Sequence, residues 1–318
     1  MDIIALGELL VDLTQNGTDR GARQFAAFPG GAPANLAAAA ARLGAKTGFI
    51  GKVGADAFGG DLRRVLEENG VDVSGLYATA QAPTTLAVVS VDETGERDFS
   101  FYRSPGADTL LAADEALDAL KAYATPLRLL HVGSLSLTDE PARGATMTAL
   151  RFATAAGIPV SYDPNYRAAL WRSEAEAVKR MLEPMPYADI LKVSEEELFL
   201  LTGTCDLRMG SLELGAMGPK LMLVTLGEKG AYYRWGIHTG EVPGFAVTVA
   251  DTNGAGDAFL GALLSRLVRR KDPLKDLTPE ELEKSVSFAN AAAALTCSKP
   301  GAIPALPTEE EVLKVFPG

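Results

Sequence analysis

Short apolar strand patterns and amphipathic helix patterns alternate along most of this chain, and no other feature constrains its fold as strongly. Residues 2–11 and 46–51 have the apolar character of buried strands, and a segment with helical spacing follows each of them. The second helix, residues 57–69, is preceded by a capping aspartate, Asp56, and followed by Gly70. Strands that alternate with helices favour a parallel sheet with crossover helices. The sequence therefore predicts an α/β fold.

One hairpin interrupts this alternation. Residues 84–91 and 97–103 alternate apolar and polar side chains around the polar segment 92–96, which predicts an antiparallel hairpin outside the main sheet. The alternation returns after residue 111, and further strands are predicted at 127–132, 158–162, 188–193 and 220–225. Residues that directly follow parallel strands line the crevice of such a sheet, so we expect functional side chains at these strand ends.

The composition argues against several classes of function. The chain has 318 residues, 47% of them hydrophobic, which is enough for one large core with a small appendage. No apolar run has transmembrane length, and the N-terminus lacks the basic segment of a secretory signal. The net charge is −11 and the one basic cluster is 269–271, which argues against binding to nucleic acid or an anionic membrane. Cys205 and Cys297 lie far apart, so we predict free thiols and a cytoplasmic protein.

The turn at residues 251–257 is the strongest candidate for chemistry. Its pattern is that of a strand end, a glycine-rich turn and a helix start. Such a turn directs the N–H groups of Gly254, Ala255 and Gly256 outward in front of the positive helix end, which makes an anion site. Asp257 could then take the proton of an attacking hydroxyl while the N–H groups stabilise a phosphoryl group in transfer. The alternative is a tight turn in which Asp257 only caps the helix.

Neither of two common phosphate-binding motifs accounts for this turn. Phe259 stands where a dinucleotide-binding fingerprint has its third glycine, and the pair Gly51-Lys52 is followed by Val53 rather than Ser or Thr. The turn instead resembles the C-terminal signature of the ribokinase-like (PfkB-type) sugar kinases. Residues 30–35, Gly-Gly-Ala-Pro-Ala-Asn, resemble the N-terminal signature of that family. The two signatures occur in the family's order, more than 200 residues apart.

This resemblance implies a three-layer α/β/α sandwich with a mostly parallel, Rossmann-like sheet and a small β-sheet lid. The core would comprise residues 1–12, 30–83 and 105–318, and the discontinuous lid would comprise residues 13–29 and 84–104. The lid would cover the sugar. The resemblance leaves open a homodimer formed through the lid.

The family's sugar contacts have counterparts in this chain. Asp12 would accept hydrogen bonds from sugar hydroxyls, although by its pattern alone it is a solvated strand end. Asn35 would contact the sugar or cap a helix, and Arg103 would reach down from the lid or protect a sheet edge. Residues 163–167, Asp-Pro-Asn-Tyr-Arg, resemble a fructokinase motif or form an Asx-turn, and Arg167 would contact phosphate or sugar. The implied sugar contacts are Asp12, Gly30, Gly31, Asn35, Arg103, Asn165 and Arg167.

The resemblance also implies the contacts to nucleotide and metal. Glu197 would organise Mg²⁺ through waters, as the glutamate of the family's Asn-x-x-Glu does, whereas Ser194 departs from the usual Asn. The further ATP contacts would be Lys192, Ser194, Thr225, Gly227, Gly230 and Asn290. A monovalent cation would be bound, mostly by backbone carbonyls, at Asp251, Asn253, Thr296, Lys299 and Gly301. Ala305 lacks a hydroxyl that some potassium-dependent members have, which leaves potassium activation open.

The activity implied is ATP-dependent phosphorylation of a sugar hydroxyl. The resemblance is strongest to fructokinases, because residues 101–108 resemble their lid as residues 163–167 resemble their motif. D-Fructose is therefore the expected acceptor, with fructose 6-phosphate as the product. A 2-keto-3-deoxygluconate kinase, a ribokinase and a non-catalytic sugar-binding protein are the alternatives. His131 lies inside a predicted strand and is expected to have no chemical role.

Overall fold

The structure, a computed structural model, describes residues 1–91, 97–123 and 126–316. The predicted hairpin turn at residues 92–96 lies outside these ranges. The strands are β1 (Ile3–Leu6), β2 (Leu10–Asp19), β3 (Ala22–Gly30), β4 (Thr47–Gly54), β5 (Val71–Thr79), β6 (Leu86–Val91), β7 (Arg97–Tyr102), β8 (Leu129–Gly133), β9 (Val160–Asp163), β10 (Ile190–Ser194), β11 (Leu221–Thr225), β12 (Gly230–Trp235) and β13 (His238–Pro243). The helices are α1 (Ala32–Arg42), α2 (Ala57–Glu68), α3 (Ala113–Tyr123), α4 (Ala142–Ala155), α5 (Glu174–Leu182), α6 (Glu195–Thr202), α7 (Leu207–Gly215), α8 (Ala255–Leu267), α9 (Pro279–Cys297) and α10 (Glu309–Val315).

Nine strands form the central sheet, in the order β13-β12-β11-β10-β9-β8-β1-β4-β5. The strands from β11 to β5 pair in parallel, and β12 and β13 add an antiparallel edge. The chain extends the sheet from β1 through β4 on one side and through β8 on the other. The strand order therefore reverses between β1 and β8, where a doubly wound sheet has its crevice. The predicted α/β class is confirmed.

Helices cover both faces of this sheet. Successive residues of a strand point to opposite faces, so the apolar strands present apolar side chains on both faces, and the helices bury them. Ile4 and Leu6 of β1 belong to the apolar core on the face covered by α3 to α7, whereas Ile3 belongs to the core on the face of α1, α8, α9 and α10. Gly261 allows α1 and α8 to cross closely, since a Cβ there would lie 2.9 Å from Leu36 O. This crossing brings the first turns of α1 and α8 together. Within the described residues, no helix combines the length and apolarity that crossing a membrane requires.

Four strands form a second sheet, here called the lid, in the order β3-β2-β6-β7. Asp12 belongs to it, opposite Phe28 and Ala87. Leu10 and Val11 belong to it as well, so the prediction of a single strand over residues 2–11 is wrong. The chain leaves the central sheet at Leu6 and enters the lid at Leu10. The apolar pattern does not mark this change of sheet, because residues on both sides of it are buried.

Candidate active site

The glycine-rich turn before α8 is shaped by close packing on two sides. Gly254 caps the helix with a φ of 75°, and a Cβ there would lie 2.8 Å from Ala302 Cβ. A Cβ on Gly256 would lie 2.9 Å from Lys192 Nζ. The N–H of Ala255 has a long bond to Thr252 O, 3.3 Å, so it is already partly used. The remaining N–H groups at the start of a helix lack partners within it and are suited to bind an anion.

Asp257 lies in the first turn of α8 and is held by two amides. Asn35 Nδ2 donates to Asp257 Oδ2 at 2.8 Å, and Asn165 Nδ2 approaches Oδ1 at 3.4 Å. Burial raises the pKa of Asp257, against the Asn35 hydrogen bond and the charges of Lys192 and Arg167. A carboxylate with a raised pKa is a better proton acceptor, as a general base requires. Asn35 thus orients the predicted base, a partner that the sequence did not indicate.

A cavity of about 310 Å³ opens between the lid and the core beside Asp257. Its lining includes the predicted sugar contacts Asp12, Gly31, Asn35, Asn165 and Arg167, together with Gly254 and Asp257. Gly30 leaves room for the Asp12 carboxylate, because a Cβ there would lie 2.4 Å from Asp12 Oδ2. The structure therefore brings together residues from both ends of the chain around one small cavity.

Two further carboxyl groups give this cavity an acidic character. Burial raises the pKa of Asp12 to about 6, with Arg167 opposing the shift and Asp257 and Asp251 adding to it. Burial also raises the pKa of Glu8 to about 7. Glu8 was missed in the sequence, although a charged residue soon after a buried strand is the signal that identified other residues here. The interpretation of residues 2–11 as one strand concealed that strand end.

A second cavity, of about 680 Å³, adjoins the first along the loop at Asn165–Arg167. The predicted nucleotide contacts Lys192, Ser194 and Glu197 line it. Lys192 Nζ forms a buried ion pair with Asp163 Oδ2 at 2.9 Å. Burial opposes the charge on Lys192, but Asp163 and Glu197 outweigh it and raise the pKa of the amine. A fixed positive charge therefore lines the second cavity and lies next to Gly256 in the first turn of α8.

Glu197 joins α6 to the loop that separates the cavities. Its Oε2 accepts the N–H of Ser194 at 2.8 Å while Ser194 Oγ accepts the N–H of Glu197, so the two residues form a capping box. Its Oε1 accepts the N–H of Tyr166 at 2.7 Å. Serine at position 194 is thus explained as a helix cap. Within the described ranges, no group of three or more His, Cys, Asp or Glu side chains could hold a metal ion.

Arg103 does not line the small cavity, and this position differs from the expectation. Its guanidinium donates to Asp108 at 2.8 Å, to Leu135 O at 2.9 Å and to Thr138 Oγ1 at 2.7 Å. The physical reason is that β7 ends at Tyr102, so the chain has turned back to the core at Arg103. The lid residue that does line the cavity from β7 is Phe101.

Arg103→Lys is therefore expected to affect stability more than sugar recognition. Lysine keeps the charge but lacks the planar fork that reaches three acceptors. We expect the free energy of unfolding, measured in denaturant, to fall by about 1–3 kcal/mol, because buried acceptors lose donors. Arg64→Lys, at an exposed pair with Asp61 and Glu68, is the control and should change stability by less than about 1 kcal/mol. Unchanged stability with a raised KM for sugar would instead support the original expectation.

Four predicted nucleotide contacts do not line either cavity. Thr225, Gly227 and Gly230 lie around the turn between β11 and β12, and Gly230 is fixed there because a Cβ would lie 2.1 Å from Val242 O. Asn290 Nδ2 donates to Val242 O at 3.0 Å and to Pro243 O at 3.1 Å. Their contact with a nucleotide stays a prediction.

The residues of the predicted cation site connect the turn before α8 to the lid. Asp251 Oδ1 accepts the N–H of Asn253 and its Oδ2 accepts the N–H of Gly301, both at 3.0 Å. A Cβ on Gly301 would lie 3.0 Å from the ring of Phe28 in the lid. The side chains of Lys299 and Thr296 bond to Glu311 and to Ala292 O. Cation binding at this loop stays a prediction.

Known proteins are similar to this chain in sequence and in architecture. A family model for pfkB family carbohydrate kinases matches residues 1–309. The chain is 46% identical over 320 residues to fructokinase-1 of Zea mays, covering 99% of this chain and 97% of that protein. The crystal structure of a fructokinase with bound ATP from Xylella fastidiosa has a TM-score of 0.92 at 36% identity, covering 99% and 98% of the two chains. A double mutant of a Vibrio cholerae O395 fructokinase, with fructose, ADP and potassium ion bound, has a TM-score of 0.89 at 34% identity and the same coverage.

Proposed function

Because the chain belongs to the pfkB family of carbohydrate kinases, we propose that it phosphorylates D-fructose with ATP to give fructose 6-phosphate. One observation carries the proposal: Asp257 lines a small, acceptor-rich cavity and lies beside Asn165, which also lines a larger cavity that contains a buried lysine. The small cavity holds a sugar and the larger one the nucleotide phosphates. The fructokinases similar to this chain are described with ATP, or with fructose and ADP.

Asp257 is the general base of the proposed reaction. Its carboxylate takes the proton of the 6-hydroxyl, whose oxygen attacks the γ-phosphorus as the bond to the β-phosphate oxygen breaks and ADP leaves. The N–H groups at Gly254–Gly256 and the Lys192 charge stabilise the charge that develops on the transferred group. Mg²⁺ neutralises phosphate charge when bound, and Glu197 is the residue proposed to hold its waters.

The charges around the small cavity favour a neutral sugar. Three carboxyl groups line it, from Glu8, Asp12 and Asp257, and Arg167 is the one cationic side chain among its lining residues. Arg103, which could have balanced an anionic substrate, is paired with Asp108 outside this lining. The carboxylate of 2-keto-3-deoxygluconate would add a fourth acidic group to the cavity. Fructose is uncharged, and its hydroxyls can donate hydrogen bonds to these acceptors.

A coupled assay of ADP release over a panel of sugars tests this substrate. We expect kcat/KM for D-fructose to exceed that for 2-keto-3-deoxygluconate and for ribose by about 10²-fold or more, because unpaired buried acceptors are costly. The Asp257→Asn protein serves as the blank for contaminating kinases. A preference for either other sugar would contradict the fructose assignment but not the kinase assignment. Sugar binding without any ADP release would contradict both.

Three further properties belong to the proposal. Potassium binds at the loop of Asp251 and Gly301, as suggested by the potassium ion described with the similar Vibrio cholerae protein. Association of two copies through the lid, whose strand β3 is largely exposed, also stays a prediction. So does the cytoplasmic location.

A further inference from the structure

Glu8 follows β1 at the crevice of the sheet and makes one hydrogen bond across the chain. Its Oε1 accepts the N–H of Ala32 at 2.9 Å, the first residue of α1. The residue before it, Gly31, has no side chain with which to cap that helix. Glu8 therefore fixes the turn that carries Gly31 and begins the helix of Asn35. This bond by itself is a structural role.

The second oxygen of Glu8 has no such role. Glu8 Oε2 is buried and has no hydrogen-bond partner among the described residues. Five buried side-chain atoms among the described residues lack a hydrogen-bond partner, and Asn35 Oδ1 is another of the five. Glu8 and Asn35 both line the small cavity. Buried polar atoms are nearly always paired in folded proteins, so two orphan acceptors around one cavity indicate a ligand that brings donors.

We propose that Glu8 is a sugar-binding residue, whose Oε2 accepts a hydrogen bond from one hydroxyl of the acceptor sugar. The inference rests on the proposed function and deepens it. Glu8 would thereby require a hydroxyl at one position of the sugar. Glu8 would bind the sugar from the core side of the cavity, whereas Asp12 would bind it from the lid side.

The test pairs Glu8→Gln with sugars that lack single hydroxyls. Glutamine keeps the acceptor for Ala32 N–H and replaces Oε2 by an NH₂ group. We expect kcat/KM for fructose to fall about tenfold, mainly through the KM for sugar, because a charge-assisted bond is lost. The KM for ATP should change less than about twofold. The same measurement is made with 1-deoxy-, 3-deoxy- and 4-deoxy-D-fructose and with 2,5-anhydro-D-mannitol, which lacks the anomeric hydroxyl.

The pattern across these sugars separates a sugar contact from a structural role. If Glu8 contacts one hydroxyl, the sugar lacking that hydroxyl should be used almost equally by both proteins, while the others keep the tenfold difference. A loss that is equal for all sugars, or less than about threefold for fructose, would overturn the proposal. Glu281→Gln is the matched control, because Glu281 also accepts a backbone N–H at a helix start, from Thr278. It should leave all sugars unaffected.

A measurement on the unaltered protein covers the case in which the variant does not fold. A hydroxyl that donates to Oε2 favours the ionised carboxyl, so fructose should lower the pKa of Glu8 from its raised value of about 7. Asp108 and Arg103 are the charged side chains that already act on Glu8, and neither lines the sugar cavity. Carbon-13 NMR of labelled glutamate carboxyls follows this shift, and an unchanged pKa would overturn the proposal. If wild-type protein does not use fructose, the proposed function fails instead, and deoxy analogues of the accepted sugar replace the panel.

Discussion

Asp257→Asn is expected to lower turnover by about 10²- to 10⁴-fold, the contribution of a general base. The variant keeps the shape of the side chain, and Asn35 can still donate to the amide oxygen in place of Oδ2. The new NH₂ group would face Asn165, the longer of the two contacts at 3.4 Å. Because the fold and the sugar cavity persist, the loss should appear in kcat with little change in the KM for sugar. Steady-state ADP release with both substrates saturating measures it.

The pH dependence of turnover gives an independent check of the same residue. Asp257 acts only when ionised, and burial raises its pKa, so wild-type kcat should fall at a higher pH than an ordinary aspartate would give. This acid limb should be absent from the variant. Asp114→Asn is the control, since it makes the same change in the first turn of α3 outside both cavities. A variant at position 257 with more than about a tenth of wild-type turnover would reject the assignment.

Gly254→Ala is expected to lower kcat by about 10²- to 10³-fold, as the loss of an oxyanion-type donor does. Gly254 has a φ of 75° and its missing Cβ would lie 2.8 Å from Ala302 Cβ, a distance that real Cβ atoms do not tolerate. Alanine must therefore move either the turn or residue 302. A displaced turn carries the N–H groups away from the transferred phosphoryl group. We therefore expect the variant to lose kcat, which reports the chemical step, rather than substrate affinity.

Gly157→Ala separates this effect from backbone strain. Gly157 has a similar φ of 66°, but no atom lies within 4 Å of the position that a Cβ would occupy. Both alanine variants carry the cost of a left-handed conformation, about 1–2 kcal/mol of stability. We expect Gly157→Ala to lose stability and keep its turnover, whereas Gly254→Ala loses both. Equal turnover in the two variants would show that the turn before α8 does not carry the chemistry.

The central sheet could be predicted from the sequence because its strands are buried on both faces and appear as short apolar runs. The predicted strands at 127–132, 158–162, 188–193 and 220–225 correspond to β8, β9, β10 and β11. A change of sheet leaves no such signal. The chain passes from β1 to the lid within three residues, all of them buried, so the pattern continues while the partners change.

Several residues that line the two cavities could be predicted from the sequence, but the contacts between them could not. Asn35 and Asp257 are 222 residues apart, and only the crossing of α1 and α8 places them 2.8 Å from each other. The contacts of Arg103 could not be predicted either, because a buried arginine and an exposed arginine at a sheet edge have the same local sequence pattern. The acceptor that decides between them, Asp108, is identified by burial, which the sequence does not show. Side-chain partners of this kind follow from tertiary packing.

The ring of Phe28 in the lid rests 3.0 Å from the position that a Cβ of Gly301 would occupy, and Gly301 is bonded through Asp251 to the turn before α8. A displacement of the lid would therefore also move the segment before α8, which we propose binds the phosphates. Any free energy transmitted by this contact acts in both directions, so that sugar alters nucleotide affinity by the factor by which nucleotide alters sugar affinity. The lid would thus be a mechanical link as well as a cover, and the hydrogen atom that Gly301 has in place of a Cβ leaves room for the Phe28 ring.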